Sequence, residues 1–232
     1  YAELLMNQMD RDFPNIPFVS FGARGKLYAT KGEYSVLEKL FEEIIEKEEM
    51  ATRENFENFY QTQYLANKKY KEVLESVKIT SPELFLEEPE VADSNDFYAG
   101  NYIVALVKTG DAERARIIAN KLCKDVPKTI EDLEDGRDIS LLYVEQIRCH
   151  AFMGEYSKAV DLAERLYFEE NSKANWPSIL AVQSEFLLLS DNKEFIALRT
   201  RVFEDLHRMR ANIIQFLKAE GEWKEEWEVK KN

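Results

Sequence analysis

Two cysteines and two histidines are the side chains in this 232-residue sequence best suited to redox, nucleophilic or metal chemistry. Cys149 and His150 are neighbours, but successive helical positions point about 100° apart, so the two side chains do not converge on one ion. A metal site also needs three or four ligands at a recognisable spacing, and none is visible around either His150 or His207. The expected role of His150 is that of a packed or edge residue. If the helices carrying Cys123 and Cys149 are antiparallel neighbours, Cys123 lies at the loop end of one. Cys149 then lies about ten residues into the next, an offset on the order of 12 Å at 1.5 Å per residue. That exceeds disulfide reach, and the expectation is two buried thiols that behave as small hydrophobes.

Other chemistries fail on spacing. The run Glu131 to Asp138, EDLEDGRD, suggests a calcium loop. With Gly136 at the sixth position, however, Leu133 and Leu142 fall where carboxylates are required, and the reading becomes a solvated acidic loop. A glycine-rich phosphate loop, a Gly-x-Ser-x-Gly elbow and a paired nucleophile and base are all missing from the sequence. The sequence therefore predicts no enzyme, no cofactor and no metal, with a cryptic enzyme as the third-ranked alternative.

The elements that would position any site are helices. Glu, Lys, Leu and Ala dominate, strand-like alternation is not sustained, and the chain holds only 8 Gly and 6 Pro, which points to an all-α fold. A net charge of −13 opposes phosphate backbones and anionic lipid, and the densest basic run, Arg199 to Arg210, is broken by Glu204 and Asp205. Direct nucleic-acid binding by this segment is not expected. No stretch of 18 apolar residues occurs, so no membrane insertion is predicted. The chain starts at Tyr1 without a signal-peptide pattern, and the expectation is a piece of a longer protein.

Along the chain, one layout recurs: a helix, a tight hinge, and a second helix with a seam of small or apolar residues. It is plain in residues 98–127, where Thr109-Gly110-Asp111 is followed by Ala112, Ala115, Ala119 and Leu122, with Pro127 as the stop. It is plainer still in 139–170, where Gly154-Glu155 is followed by Tyr156, Ala159, Ala163 and Leu166. Gly32-Glu33 hinges an earlier copy, the worn turn Asn67-Lys68-Lys69 another, and Asp191-Asn192 a last one, where Asp191 and Glu194 suggest a capping box. Residues 2–12 suggest a short helix. The segments 80–95 and 128–138 interrupt the pattern as insertions, Ser81-Pro82 reading as the start of a short helical turn. With Gly32, Lys68, Gly110, Gly154 and Asn192 equivalent, the spacings are 36, 42, 44 and 38 residues. Units of this length bury their apolar faces only by stacking.

This hinge and seam pattern resembles the tetratricopeptide repeat. Gly110, Ala115 and Pro127 fall where that consensus has Gly, Ala and Pro; Gly154, Tyr156 and Ala159, then Gly32 and Tyr34, match again. Spacings beyond 34, no Trp near the start of the first helices and no terminal Pro in most units depart from it. The resemblance covers residues 18 to 206 and implies an α-α superhelix, a tetratricopeptide-like solenoid of about five helix pairs. The whole chain, 1–232, would be one helical-repeat domain with a charged helical tail at 218–232. Residues 189–213, LSDNKEFIALRTRVFEDLHRMRANI, look like the closing helix of such C-terminal regions in bacterial winged-helix transcription regulators and cyclase-linked signalling proteins.

In such domains the first helix of each unit lines a concave groove. Carrying those positions over gives Phe97, Val104, Val107 and Lys108 in one unit and Val144, Arg148 and Phe152 in the next, an apolar lining edged by two cations. Either this is a peptide groove in which Arg148 pairs an acidic group, or these are ordinary inter-repeat core residues. The Lys and Asn pair with which some of these domains clamp a terminal carboxylate does not recur. Trp223 and Trp227 either cap the end of the stack or mediate a homodimer, capping being preferred. The resemblance implies a protein-interaction domain, the regulatory or sensory part of a bacterial signalling protein or transcription regulator. The alternative is a stand-alone scaffold. Whether the chain is cytoplasmic or periplasmic is open.

Overall fold

The computed structural model describes Arg11, Arg24, Tyr28 and residues 33–47, 57–127, 139–170 and 183–223. The first helix expected at 2–12, the calcium-like run 131–138 and Trp227 lie outside them, apart from Arg11. Within the described residues there are α-helices and short 3-10 turns and no strand, as the composition requires. The helices are α1 (Tyr34–Lys47), α2 (Glu57–Ala66), α3 (Tyr70–Thr80), α4 (Asp96–Thr109), α5 (Ala112–Leu122), α6 (Ile139–Phe152), α7 (Tyr156–Phe168), α8 (Ser184–Leu188) and α9 (Lys193–Ala219).

The expected hinges share one backbone device. The amide of Lys69 donates to the Tyr64 carbonyl at 2.7 Å, that of Asp111 to Leu106 at 2.9 Å and that of Glu155 to His150 at 2.8 Å. Glu33 does the same to Tyr28 at 2.9 Å. A bond reaching back five residues closes a helix when the residue between adopts left-handed φ. Gly110 (φ 98°) and Gly154 (φ 79°) do so without a Cβ penalty, and in the worn hinge Lys68 takes φ 59° instead. The last hinge is built differently: a 3-10 turn, Leu189–Asp191, runs into α9. There the cap is Asn192, whose side chain accepts from the Phe195 amide at 2.9 Å, and not the expected Asp191, which pairs elsewhere.

The insertion after α3 folds onto the α4–α5 hairpin. Its 3-10 turn, Pro82–Phe85, starts after Ser81 as expected, though the Ser81 side chain makes no cap bond. Leu84 is fully buried, and the Phe85 ring stacks on Tyr102 with centroids 4.5 Å apart. The Arg114 guanidinium donates to the carbonyls of Leu84 at 2.8 Å and Glu87 at 3.1 Å, and also to Leu86. Asn95 ties the other end, donating to Glu83 Oε1 at 2.6 Å and to the Glu90 carbonyl at 3.1 Å.

Two apolar cores result. The first joins α2 to α5 through Val73, Val77, Ile103 and Ile118 and takes in Phe152 and Leu188 from later helices. The second lies among α6, α7, α9 and the 189–191 turn, around Ile147, Tyr167, Phe195 and Leu198. Side-chain pairs show how units register. Asn101 meets Gln61, 40 residues earlier, at 3.0 Å, close to the hinge spacing of 42. Along α7 and α9, Ser157 donates to Glu194 at 2.8 Å, Glu164 pairs with Arg201 at 2.5 Å and Tyr167 donates to Asp205 at 3.1 Å. These contacts advance together, so the two helices run parallel and in step with their hinges.

Between α4 and α6 the step is broken. Arg148 pairs with Asp96 at 3.4 Å, and the Phe152 ring lies against Gly100, 3.3 Å from where a Cβ would stand. Both pairs are 52 residues apart, whereas Gly110 and Gly154 are 44 apart. Helix α6 has therefore slid eight residues, about 12 Å, along α4. The connection 123–138 is long enough to allow it.

Candidate functional site

The slip has three consequences, and each bears on where this protein could act. The first concerns the cysteines. Cys123, just past the end of α5, and Cys149 in α6 are joined as a disulfide with Cα atoms 5.7 Å apart. This corrects the expectation of two separate thiols. That expectation took the two helices as antiparallel neighbours with Cys123 level with the start of the second, and the slide of α6 along α4 removes the offset it placed between the cysteines.

Second, the slip opens a cavity of about 610 Å³ at the junction of α5, α6 and α7, walled by Val126, Pro127, Gln146, Leu162 and the disulfide itself. His150, Lys158 and Asp161 complete its lining. His150 Nδ1 meets Glu155 Oε2 at 2.5 Å and Lys158 Nζ donates to Glu155 Oε1 at 3.1 Å. These bonds, first from His150 and then from Lys158, hold the Glu155 carboxyl below its usual range. His150 is thus an edge residue with a carboxylate partner. Among the described residues no group of three or more His, Cys, Asp or Glu could hold a metal.

Third, the inner side of α4 that α6 vacates is covered by α8, which packs on α2, α4 and α6. The residues expected to line a groove lie here. Val104 and Phe152 are buried in the first core; Phe97, Val107, Lys108, Val144 and Arg148 are half-buried. Lys108 pairs with Asp191 at 3.0 Å and Arg148 with Asp96, so both edge cations already have carboxylates. Of the two readings of these positions, packing describes Val104 and Phe152. Asp191, 3.8 Å from Lys68 as well, gathers the hinges of three units. Bonds and charge from Lys108, then the charge of Lys68, lower its pKa.

Under α8 the interior is polar. Glu185 is fully buried, and burial raises its carboxyl above the usual range although Arg148 opposes this. Its Oε2 accepts from Ser184 Oγ at 3.4 Å, while its Oε1 and Asn101 Oδ1 have no hydrogen-bond partner.

One surface was not anticipated. Helix α9 buries Phe195, Leu198 and Val202 against α7. The same stripe continues through Met209, Ile213 and Phe216, which are 37%, 56% and 63% exposed. Since Tyr167, next to the end of α7, sits opposite Asp205, the last 14 residues of α9 outrun that partner by roughly 20 Å. The signal was in the sequence as spacing of three and four residues carried past Val202. What it lacked was the length of the opposing helix.

Known families, curated proteins and solved structures were compared with the chain. None matches. The functional reading therefore rests on the chain's own residues.

Proposed function

We propose that this chain is a non-enzymatic protein-interaction domain, a tetratricopeptide-like superhelix interrupted once by the α4–α6 slip. In this reading it serves as the regulatory or sensory part of a bacterial signalling protein or transcription regulator. The recurrent hinge device supports the repeat reading. The observation that carries the interaction is the exposed end of α9, an apolar stripe continuous with one already buried against a neighbouring helix.

The occupant we assign to it is an acidic amphipathic helix of a partner protein. From 206 to 219 α9 carries His207, Arg208, Arg210 and Lys218 and no carboxylate, in a chain of net charge −13. At about 100° per residue Arg208 and Arg210 flank the stripe on its two sides, whereas His207 and Lys218 lie on the opposite face. An apolar strip edged by two arginines suits a helix with an apolar stripe and acidic flanks. A second copy pairing α9 with α9 would instead set cation against cation. Among the described residues no helix is long and apolar enough to cross a membrane.

The test places a photo-crosslinking residue at Ile213 of the chain in its native cell. The expected product is an adduct to an acidic helix of a different protein, lost on Arg208→Glu with Arg210→Glu and on Phe216→Asp. Adducts confined to the chain itself, adducts to a second copy, or no adduct at all would each overturn the reading.

A further inference from the structure

The cavity beside the disulfide has a use that interaction through α9 does not explain. Cys123 and Cys149 are both half-buried rather than enclosed, and their bond forms part of the wall of the 610 Å³ space. That volume falls in the range that holds small organic molecules, on the order of 300–1,000 Å³. Disulfide exchange requires that a thiolate reach one sulfur, so access governs its rate.

The position matters as much as the access. The disulfide ties the end of α5, part of the first core, to α6, most of whose buried face belongs to the second. The cavity lies at this junction, beside an α6 that is out of step with α4. Gln146 Nε2 donating to the Pro127 carbonyl at 3.0 Å is one of the contacts that cross it.

We propose that Cys123–Cys149 is a reversible exchange site for a low-molecular-weight thiol, admitted through this cavity, and that its reduction loosens the α5–α6 junction without unfolding either core. One thiolate attacks a cysteine sulfur; the S–S bond breaks and its electron pair leaves on the other cysteine as a thiolate. The mixed disulfide so formed is attacked by a second thiol. The products are the external disulfide and two protein thiols, which take up the two protons that the thiols gave up. Oxidation by an external disulfide runs the same steps backwards.

The experiment equilibrates the full chain, without denaturant, in glutathione buffers of graded ratio, then traps thiols by alkylation and counts them by mass. Hydrogen exchange is recorded on the oxidised and reduced forms. The expected result is complete, reversible reduction, with faster exchange in 119–127 and 142–150 and unchanged exchange in α3 and in the first half of α9. Leu162→Trp, which narrows the cavity, should slow reduction by about tenfold while leaving the equilibrium ratio in place. Failure of the thiol to reduce the bond before the chain unfolds would overturn the proposal. So would reduction that leaves exchange at the junction unchanged, or a Leu162→Trp rate equal to that of the parent.

Discussion

The carboxylate of Asp191 accepts from the ammonium of Lys108 at 3.0 Å across 83 residues of sequence, joining the hinge of the last unit to that of the third. Asp191 is well exposed (63%), so the pair is screened and its contribution small. Asp191→Asn should cost less than about 1 kcal/mol. Because Lys108 and Lys68 depress the Asp191 pKa, whatever the pair contributes is present above the unfolded-state value and is lost as pH falls through the folded one. Amide exchange in α8 should rise in the variant while exchange in α7 stays constant; equal effects in both would show that Asp191 does not hold α8.

Glu185 behaves in the opposite sense. Burial raises its carboxyl pKa, so the folded chain binds a proton that the unfolded chain has released. Stability is therefore greatest below the ordinary Glu range and declines as pH rises through the folded value. Glu185→Gln keeps the shape and removes the charge; it should stabilise the protein at pH 7 by roughly 1–3 kcal/mol and flatten this decline. Urea denaturation at a series of pH values checks both, and a destabilised Gln variant with the original slope would contradict the account.

Tyr167 is held at the α7–α9 contact with its phenol pushed up to about 12, mainly by burial and then by its bond to Asp205. The contribution of that proton is complete below pH 10 and disappears as pH climbs through the folded value. Tyr167→Phe leaves the Asp205 carboxylate with one donor fewer and should cost about 1–2 kcal/mol. Thermal melts of the parent and variant at neutral pH measure it.

At Gly100 packing overrides helix propensity. An Ala in a helix interior is favoured over Gly by about 1 kcal/mol, but a Cβ here would stand 2.7 Å from Ser184 Oγ and 3.3 Å from the Phe152 ring. Gly100→Ala should destabilise by about 1–3 kcal/mol, and Ser184→Ala in the same chain should restore part of the loss. A neutral or stabilising Gly100→Ala would mean that α8 is not seated on α4.

The worn hinge offers the reverse case. Lys68 holds φ 59°, a conformation that costs an ordinary L-residue about 1–2 kcal/mol. Gly at this position removes that strain but has more freedom to lose on folding. Lys68→Gly should therefore stabilise by about 0.5–1 kcal/mol net, measured by chemical denaturation; a loss of stability would show that the Lys68 side chain contributes more than its backbone strain costs.

What was legible from residues alone is what local physics decides. Gly110 and Gly154 announce left-handed helix ends because other residues pay a steric penalty there, and Ala115, Ala119, Ala159 and Ala163 announce close packing because only a small side chain admits a neighbouring helix. Those signals gave the helices, the hinges and their spacing. They could not give register. How far α6 slides along α4 depends on the sum of many weak contacts, on the fit of Phe152 over Gly100 and on the length of chain between α5 and α6, none of which is a property of one segment. That slide decided the rest: it brought Cys149 to Cys123, opened the cavity beside them and left room for α8 over Gly100. The apolar stripe of α9 was likewise written in spacing, but only the position of Tyr167 against Asp205 shows where α7 ends and the stripe meets solvent.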